Sequence, residues 1–417
     1  MHAFLRALRR VLVLGTATVV VIVVVLAQAG AYLFGFTTTK ARPTESAYAG
    51  LNYSASGEHA VGVVRISPEE DDAPVRMTAW YPAAATDEEP PMTYSYSLKV
   101  LGPRSATALA TYEGTATLNA AADRRGGPYP LVVLSSGFAI TSASYAWLAE
   151  HLASYGMVVV SPQHEETLDP RTLWRAAGAR TDTIARTRAY LGSTSASEGV
   201  LAGLVDAHTV AVLGHSYGGY TALASGGARL DADAFTTGCA TARQVDDPIV
   251  FLCDALEPKF DQIIKSSSGV PDDDLPPVRA VVSLAGDAAM FGASGMSSLT
   301  APLLVIGGTA DDDSPYDWST RLAYEGATST RKVEVALEGA EHFVFSGRCA
   351  SVRRIVALMP TGFCDDPGWD RARARAVIRH YVTVFLLAEL RDESDAHSVL
   401  VSDAAAVPDV RYRAVGY

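Results

Sequence analysis

Short apolar runs alternate with helix-spaced segments along most of this chain. Ala60-Val61-Gly62-Val63-Val64-Arg65-Ile66 and Val75-Arg76-Met77-Thr78-Ala79-Trp80-Tyr81-Pro82 alternate as strands, the second stopping at its proline, and predict an antiparallel opening to a sheet. Leu131-Val132-Val133-Leu134 and Met157-Val158-Val159-Val160 are wholly apolar, as in strands covered on both faces. Ser144 to Tyr155 lies between them with Tyr145, Leu148 and Leu152 on one helical stripe. A helix over Thr183 to Leu191 leads to a strand over Val210 to Leu213. Later strands are predicted at Val278 to Leu284, Leu303 to Ile306 and Val333 to Leu337, with a closing helix over Ala372 to Leu390. Strands alternating with helices in this way predict an α/β domain with a doubly wound, mostly parallel sheet over residues 60–417.

Two stretches break the pattern. Gly226 to Pro277 is rich in Asp, Ser and Pro between two core strands, and reads as an inserted cap or, failing that, a surface loop remote from the site. At the N-terminus, Arg6, Arg9 and Arg10 precede an uncharged apolar run from Val11 to Phe36. As a helix it would reach roughly 39 Å, beyond a hydrocarbon core of about 30 Å. That predicts a membrane anchor with its N-terminus cytoplasmic. The alternative is a cleaved signal, with Ala27-Gln28-Ala29 as the cleavage site. Either places the domain outside the cytoplasm. No cysteine lies near the segment to support a lipoprotein anchor, and residues 37–59 read as a linker.

The chain has 417 residues, 48% hydrophobic and 19% charged, enough for one large core. Its formal charge of −12 argues against a nucleic-acid partner. Four cysteines, Cys239, Cys253, Cys349 and Cys364, allow three pairings. The nearest-neighbour one, with two local disulfides in an oxidising compartment, is preferred.

The candidate chemistry centres on Gly214-His215-Ser216-Tyr217-Gly218-Gly219, a G-x-S-x-G pattern directly after the Val210 to Leu213 run and before a helix-compatible segment. Strand, tight turn and helix are the context in which such a serine stands exposed at the carboxyl edge of a parallel sheet. A serine hydroxyl needs a base, and the base an orienting acid. Asp311 follows the Leu303 to Ile306 strand, with Asp312 and Asp313 beside it leaving a one-residue ambiguity. His342, in Gly339-Ala340-Glu341-His342-Phe343, follows the last strand. His380 sits mid-helix and His397 in a polar tail. Backbone amides of Tyr217 and Phe138 are the candidate oxyanion donors, the latter in Ser135-Ser136-Gly137-Phe138. His215 and His164 are read as structural. There is no H-E-x-x-H, no close Cys/His cluster and no G-x-G-x-x-G after a strand, so neither a metal nor a dinucleotide cofactor is expected.

Together, Trp80-Tyr81-Pro82, Ser136-Gly137-Phe138, the Ser144 to Val160 unit, Gly214 to Gly219, Gly308 to Asp311 and His342 resemble α/β-hydrolases. The resemblance is nearest to the platelet-activating-factor acetylhydrolase-like branch, which shades into bacterial polyester hydrolases and dienelactone-hydrolase-like proteins. It covers roughly Val61 to Leu390 and implies a serine esterase acting on short or truncated acyl esters without a cofactor. Three departures stand out: serine precedes Gly137 where relatives often carry histidine, Gly226 to Pro277 has no counterpart, and dienelactone hydrolases use cysteine as nucleophile. A lipase or polyester hydrolase, or a silent hydrolase fold serving as a surface binding module, is the alternative.

Overall fold

The computed structural model describes residues 30, 32–33, 35–38, 50–67, 74–84, 90–102, 104–193, 199–267, 275–347, 349–354, 364, 366–402 and 407–417. Fourteen strands appear among them, β1 (Phe36–Thr38), β2 (Ala60–Ile66), β3 (Met77–Ala83), β4 (Thr93–Gly102), β5 (Ser105–Glu113), β6 (Thr117–Leu118), β7 (Tyr129–Ser135), β8 (Val158–Pro162), β9 (Val205–His215), β10 (Ala280–Leu284), β11 (Leu303–Gly308), β12 (Lys332–Leu337), β13 (Ser351–Arg353) and β14 (Val410–Val415). Ten form one sheet in the order β14-β12-β11-β10-β9-β7-β8-β3-β2-β6. Its centre, from β8 to β12, is parallel throughout. β3 joins β8 antiparallel, β2 pairs with β3 as the opening hairpin, and β14 closes the far edge antiparallel to β12. The wholly apolar runs are the central strands because both their faces are covered. Leu131, Val132, Val133, Val158 and Val159 are each fully buried.

Helices cover each face. α1 (Ala146–Ser154) packs with the closing helix α9 (Arg371–Arg391) on one side. On the other lie α2 (Leu173–Gly192), α3 (Tyr217–Ser225), α7 (Gly292–Met296) and α8 (Thr320–Gly326). α2 begins ten residues earlier than the apolar spacing predicts. Its first half carries Arg175, Gly178 and Arg180, which dilute the stripe, yet Leu173, Ala176, Ala177 and Arg180 are all buried.

The interval 226–277 contains α4 (Ala232–Val245), α5 (Val250–Leu256) and α6 (Phe260–Ser266). The Cys239–Cys253 disulfide ties α4 to α5. α6 lies against α2, and Asp247 accepts a hydrogen bond from the Trp318 indole at 3.1 Å. Cys349 bonds Cys364, so both disulfides follow the nearest-neighbour pairing.

One expectation is corrected. No helix among the described residues is long and apolar enough to cross a membrane. Residues 11–29 of the proposed anchor lie outside the described ones. Phe36, its last residue, opens the β1 strand, which pairs antiparallel with β13 in a second sheet of order β1-β13-β5-β4. There the Arg353 guanidinium covers the Phe36 ring at 4.8 Å, so this end of the run is a protein-packed strand rather than a spanning helix. Further on, Leu51 is buried and the Tyr53 amide donates to His380 Nδ1 at 3.3 Å.

The β4–β5 hairpin lies outside the elements read from the sequence, although its signal is present. Tyr94, Tyr96 and Leu98 alternate with Ser95 and Ser97, and all three larger side chains are buried. The hairpin backs the loop after β7, with the Lys99 amide donating to Ala139 O at 2.8 Å and the Thr141 amide to Ser97 O at 3.2 Å.

Candidate active site

Ser216 stands between β9 and α3 with φ 56° and ψ −126°, a conformation rare for any residue bearing a side chain. The turn is that sharp only because its neighbours lack side chains. A Cβ on Gly214 would lie 2.0 Å from Gly218 O, and one on Gly218 would lie 2.0 Å from Ser135 O. The Ser216 amide is anchored to Leu284 O of β10 at 2.9 Å, and the residue is half-buried.

His342 and Asp311 meet at the same sheet edge. His342 Nδ1 donates to Asp311 Oδ2 at 2.7 Å, which leaves Nε2 as the basic nitrogen. Asp311 Oδ1 accepts from the amides of Asp313 (2.9 Å) and Ser314 (2.7 Å), so the carboxylate is held on both oxygens. Asp311 is buried, whereas Asp312 and Asp313 are exposed. Geometry thus brings Asp311, rather than Asp312, to the histidine. Burial opposes the imidazolium of His342, but the charge and hydrogen bond of Asp311, with the charge of Asp313, outweigh it. The histidine is left above its ordinary value. Asp287, buried beyond β10, is pushed up to about 7 by desolvation and accepts from the Ala289 amide instead.

Ser216 Oγ has no hydrogen-bond partner among the described residues, so the structure does not join it directly to His342. The contact with His342 is made by the preceding residue, His215. The His215 ring lies 4.8 Å from that of His342, centre to centre, and its Nε2 donates to His342 O at 3.2 Å. Since a carbonyl only accepts, His215 Nδ1 is the acceptor for the Tyr145 hydroxyl at 2.8 Å. That hydroxyl in turn accepts from the Gly137 amide at 3.2 Å. Burial, and then the nearby His342, hold the His215 imidazole well below the ordinary histidine value, so it stays neutral. His215, read as structural, links the His342 loop to the loop after β7.

That second loop is pinned at three amides. The Gly137 amide goes to Tyr145, that of Ala139 to Glu166 Oε1 at 2.8 Å, and that of Ile140 to Gly137 O at 3.1 Å. The Phe138 amide has no acceptor among the described residues. Tyr217, first residue of α3, likewise has no intrahelical acceptor for its amide. The two side chains touch edge to face, with centroids 5.9 Å apart.

Arg180 and Glu166, singled out by no motif, hold this loop from beneath. Arg180 donates to Ser136 O at 2.6 Å and Gly137 O at 3.1 Å. It also pairs with both oxygens of Glu166, Nε to Oε2 at 3.0 Å and Nη2 to Oε1. Both side chains are almost wholly buried. His164 has the local role expected of it, with Nε2 against Ser135 Oγ at 2.9 Å. Lys99 donates to His164 O, and its burial pushes the ammonium down to about 8. Among the described residues there is no cluster of His, Cys, Asp and Glu that could hold a metal ion.

Residues 103–234, from β5 through the elbow to the start of the helical insertion, match the chlorophyllase family model. The chain is also similar to Cutinase 2 of Thermobifida cellulosilytica, 35% identical over 97 residues, or 23% of this chain and 34% of that protein. Cutinase cut1 of Thermobifida fusca is 35% identical over 97 residues, covering 23% of this chain and 28% of the relative. Cutinase est1 of Thermobifida alba is 36% identical over the same length, covering 23% and 30%. The chain thus spans about a third of the length of these curated relatives. The matches name chlorophyllase and cutinases, and do not bear on the acetylhydrolase-like branch that the motifs resemble. With the central parallel sheet, the strained serine elbow and these matches together, the chain has the α/β-hydrolase fold.

Proposed function

We propose that this protein is an extracytoplasmic serine carboxylic-ester hydrolase that acts on short or truncated acyl esters. Ser216 Oγ attacks the acyl carbon while His342 Nε2 takes its proton. Asp311 orients the imidazole and stabilises the imidazolium, and His342 then protonates the leaving alcohol. The amides of Phe138 and Tyr217 receive the oxyanion, and water hydrolyses the acyl-enzyme by the same route. The observation that carries this reading is the unspent Phe138 amide, between the engaged amides of Gly137 and Ala139, in a residue whose ring packs against Tyr217 of the elbow. Two disulfides support an oxidising compartment.

The cutinase likeness favours a second reading within the same chemistry, a polyester or lipid-like ester as substrate. Rates on p-nitrophenyl esters from acetyl to palmitoyl separate the two, short-chain preference supporting the first. Ser216→Ala should abolish turnover and fluorophosphonate labelling while leaving the thermal melt unchanged. Undiminished activity in that variant would overturn the assignment, and no turnover by the native chain would leave a binding module.

A further inference from the structure

A cavity of about 550 Å³ opens at the carboxyl end of β8. Because β7, β8 and β9 are parallel, it lies on the same sheet edge as the elbow, where ligands of open α/β sheets collect. Arg180 forms part of its wall and also sits over the Tyr217 ring at 5.3 Å, so cavity and elbow share a partition. Its volume is that of a small-molecule site.

Its lining carries five guanidiniums, Arg76, Arg104, Arg175, Arg180 and Arg186, but only two carboxylates, Glu165 and Glu166. Glu166 is spent on Arg180 and the Ala139 amide. Glu165 lies 3.5 Å from Arg104 with both groups about two-thirds exposed, and Arg186 pairs with Asp182 at 2.7 Å, outside the lining. Guanidiniums thus outnumber carboxylates in the described lining, in a chain whose formal charge is −12. Arg175 has no carboxylate partner among the described residues and rests on the Trp174 ring at 5.1 Å. His164 Nδ1, on a buried side chain of the same wall, has no hydrogen-bond partner among the described residues. Val75, Ala176 and Ala179 supply apolar surface between the charges.

We propose that this cavity is a subsite for an anionic group, a carboxylate or phosphate, carried by the ester substrate at a distance from its scissile carbonyl. The assignment rests on the esterase reading for its role, and on the charge and shape of the cavity for the site itself. Arg104 and Arg175 belong to different elements of its lining, the β4–β5 turn and α2. Both are exposed and neither holds the oxyanion loop.

The test compares mono-4-nitrophenyl suberate with the neutral 4-nitrophenyl octanoate of equal acyl length, with Ser216→Ala as blank. Arg104→Gln combined with Arg175→Gln should lower kcat/KM for the charged ester about 5- to 10-fold. The neutral ester should stay within about twofold of the native rate. The difference should shrink at 1 M salt, where the Debye length is about 3 Å. Equal losses on both esters, or none on either, would overturn the subsite. Failure of the esterase reading is separable: neither ester would then exceed the blank. In that event the site is read on Ser216→Ala by calorimetric titration with suberate. Saturable binding abolished by the arginine substitutions is expected, and no binding overturns the proposal whichever way turnover falls.

Discussion

Glu166→Gln is the substitution that tests most directly how the proposed oxyanion loop is built. The change is nearly isosteric, but it removes the carboxylate paired with Arg180 in a site where both side chains are almost wholly buried. A buried ion pair broken on one side typically costs about 3–5 kcal/mol, because the remaining charge stays desolvated without compensation. At roughly 2–4 °C per kcal/mol the melting temperature should fall by on the order of 10 °C. The catalytic effect has a separate origin. Ala139 loses a charged acceptor, and Arg180, which also grips Ser136 O and Gly137 O, is free to reorient. The Phe138 amide would then no longer be fixed, and loss of one oxyanion donor costs about 10²–10³ in kcat. The two effects part in the double variant Arg180→Met with Glu166→Leu. Replacing both charges by apolar groups is often neutral or stabilising, so the melt should recover while kcat stays low. Thermal melts and steady-state kinetics on a p-nitrophenyl ester read both. If Glu166→Gln leaves melt and kcat within error of the native chain, the clamp is irrelevant. If the double variant regains full kcat, the ion pair supports the fold and plays no part in shaping the loop.

Asp311→Asn should lower kcat by about 10³–10⁴ through loss of the correct histidine tautomer. With the Asp311 charge that raises His342 removed, the midpoint of the acid limb of the pH–rate profile should move down, since activity needs the neutral imidazole. A limb that stays in place would sink the pairing. Tyr145→Phe leaves the Gly137 amide and His215 Nδ1 each without a partner, at a cost of about 1–3 kcal/mol in stability by denaturant titration. It should also lower kcat with KM unchanged, and an unaltered kcat would remove the His215 link from the mechanism. Replacing Cys349 and Cys364 by serine opens a loop whose ends are 15 residues apart, worth about 3 kcal/mol by differential melting. The reduced native chain, which also loses Cys239–Cys253, should melt lower still, and identical melts would contradict it.

Much of the architecture is written locally. Strands β7 to β12 are legible because each is a short apolar run closed by Gly, Pro or Ser, and a parallel strand buried on both faces can be little else. The elbow is legible because backbone sterics leave only glycine at positions 214 and 218. Elsewhere the pattern misleads. The first half of α2 loses its stripe because its core-facing arginine is stabilised by a partner on another segment. The end of the N-terminal apolar run reads as a spanning helix until Phe36 is seen paired with β13, more than 300 residues away.

What the amino-acid order determined alone is therefore the list of chemical groups and the chain order Ser216, Asp311, His342. Spacing along strands and turns encodes those, and each is a property of a few consecutive residues. Which aspartate meets His342, and which amide after β7 is left without an acceptor, were decided only by tertiary structure. So were the conversion of His215, Tyr145, Glu166 and Arg180 into one hydrogen-bonded frame and the gathering of five arginines around one cavity. Each depends on hydrogen bonds or desolvation between segments far apart in the chain. Such energies depend on distance in space, and no local pattern of residues carries them.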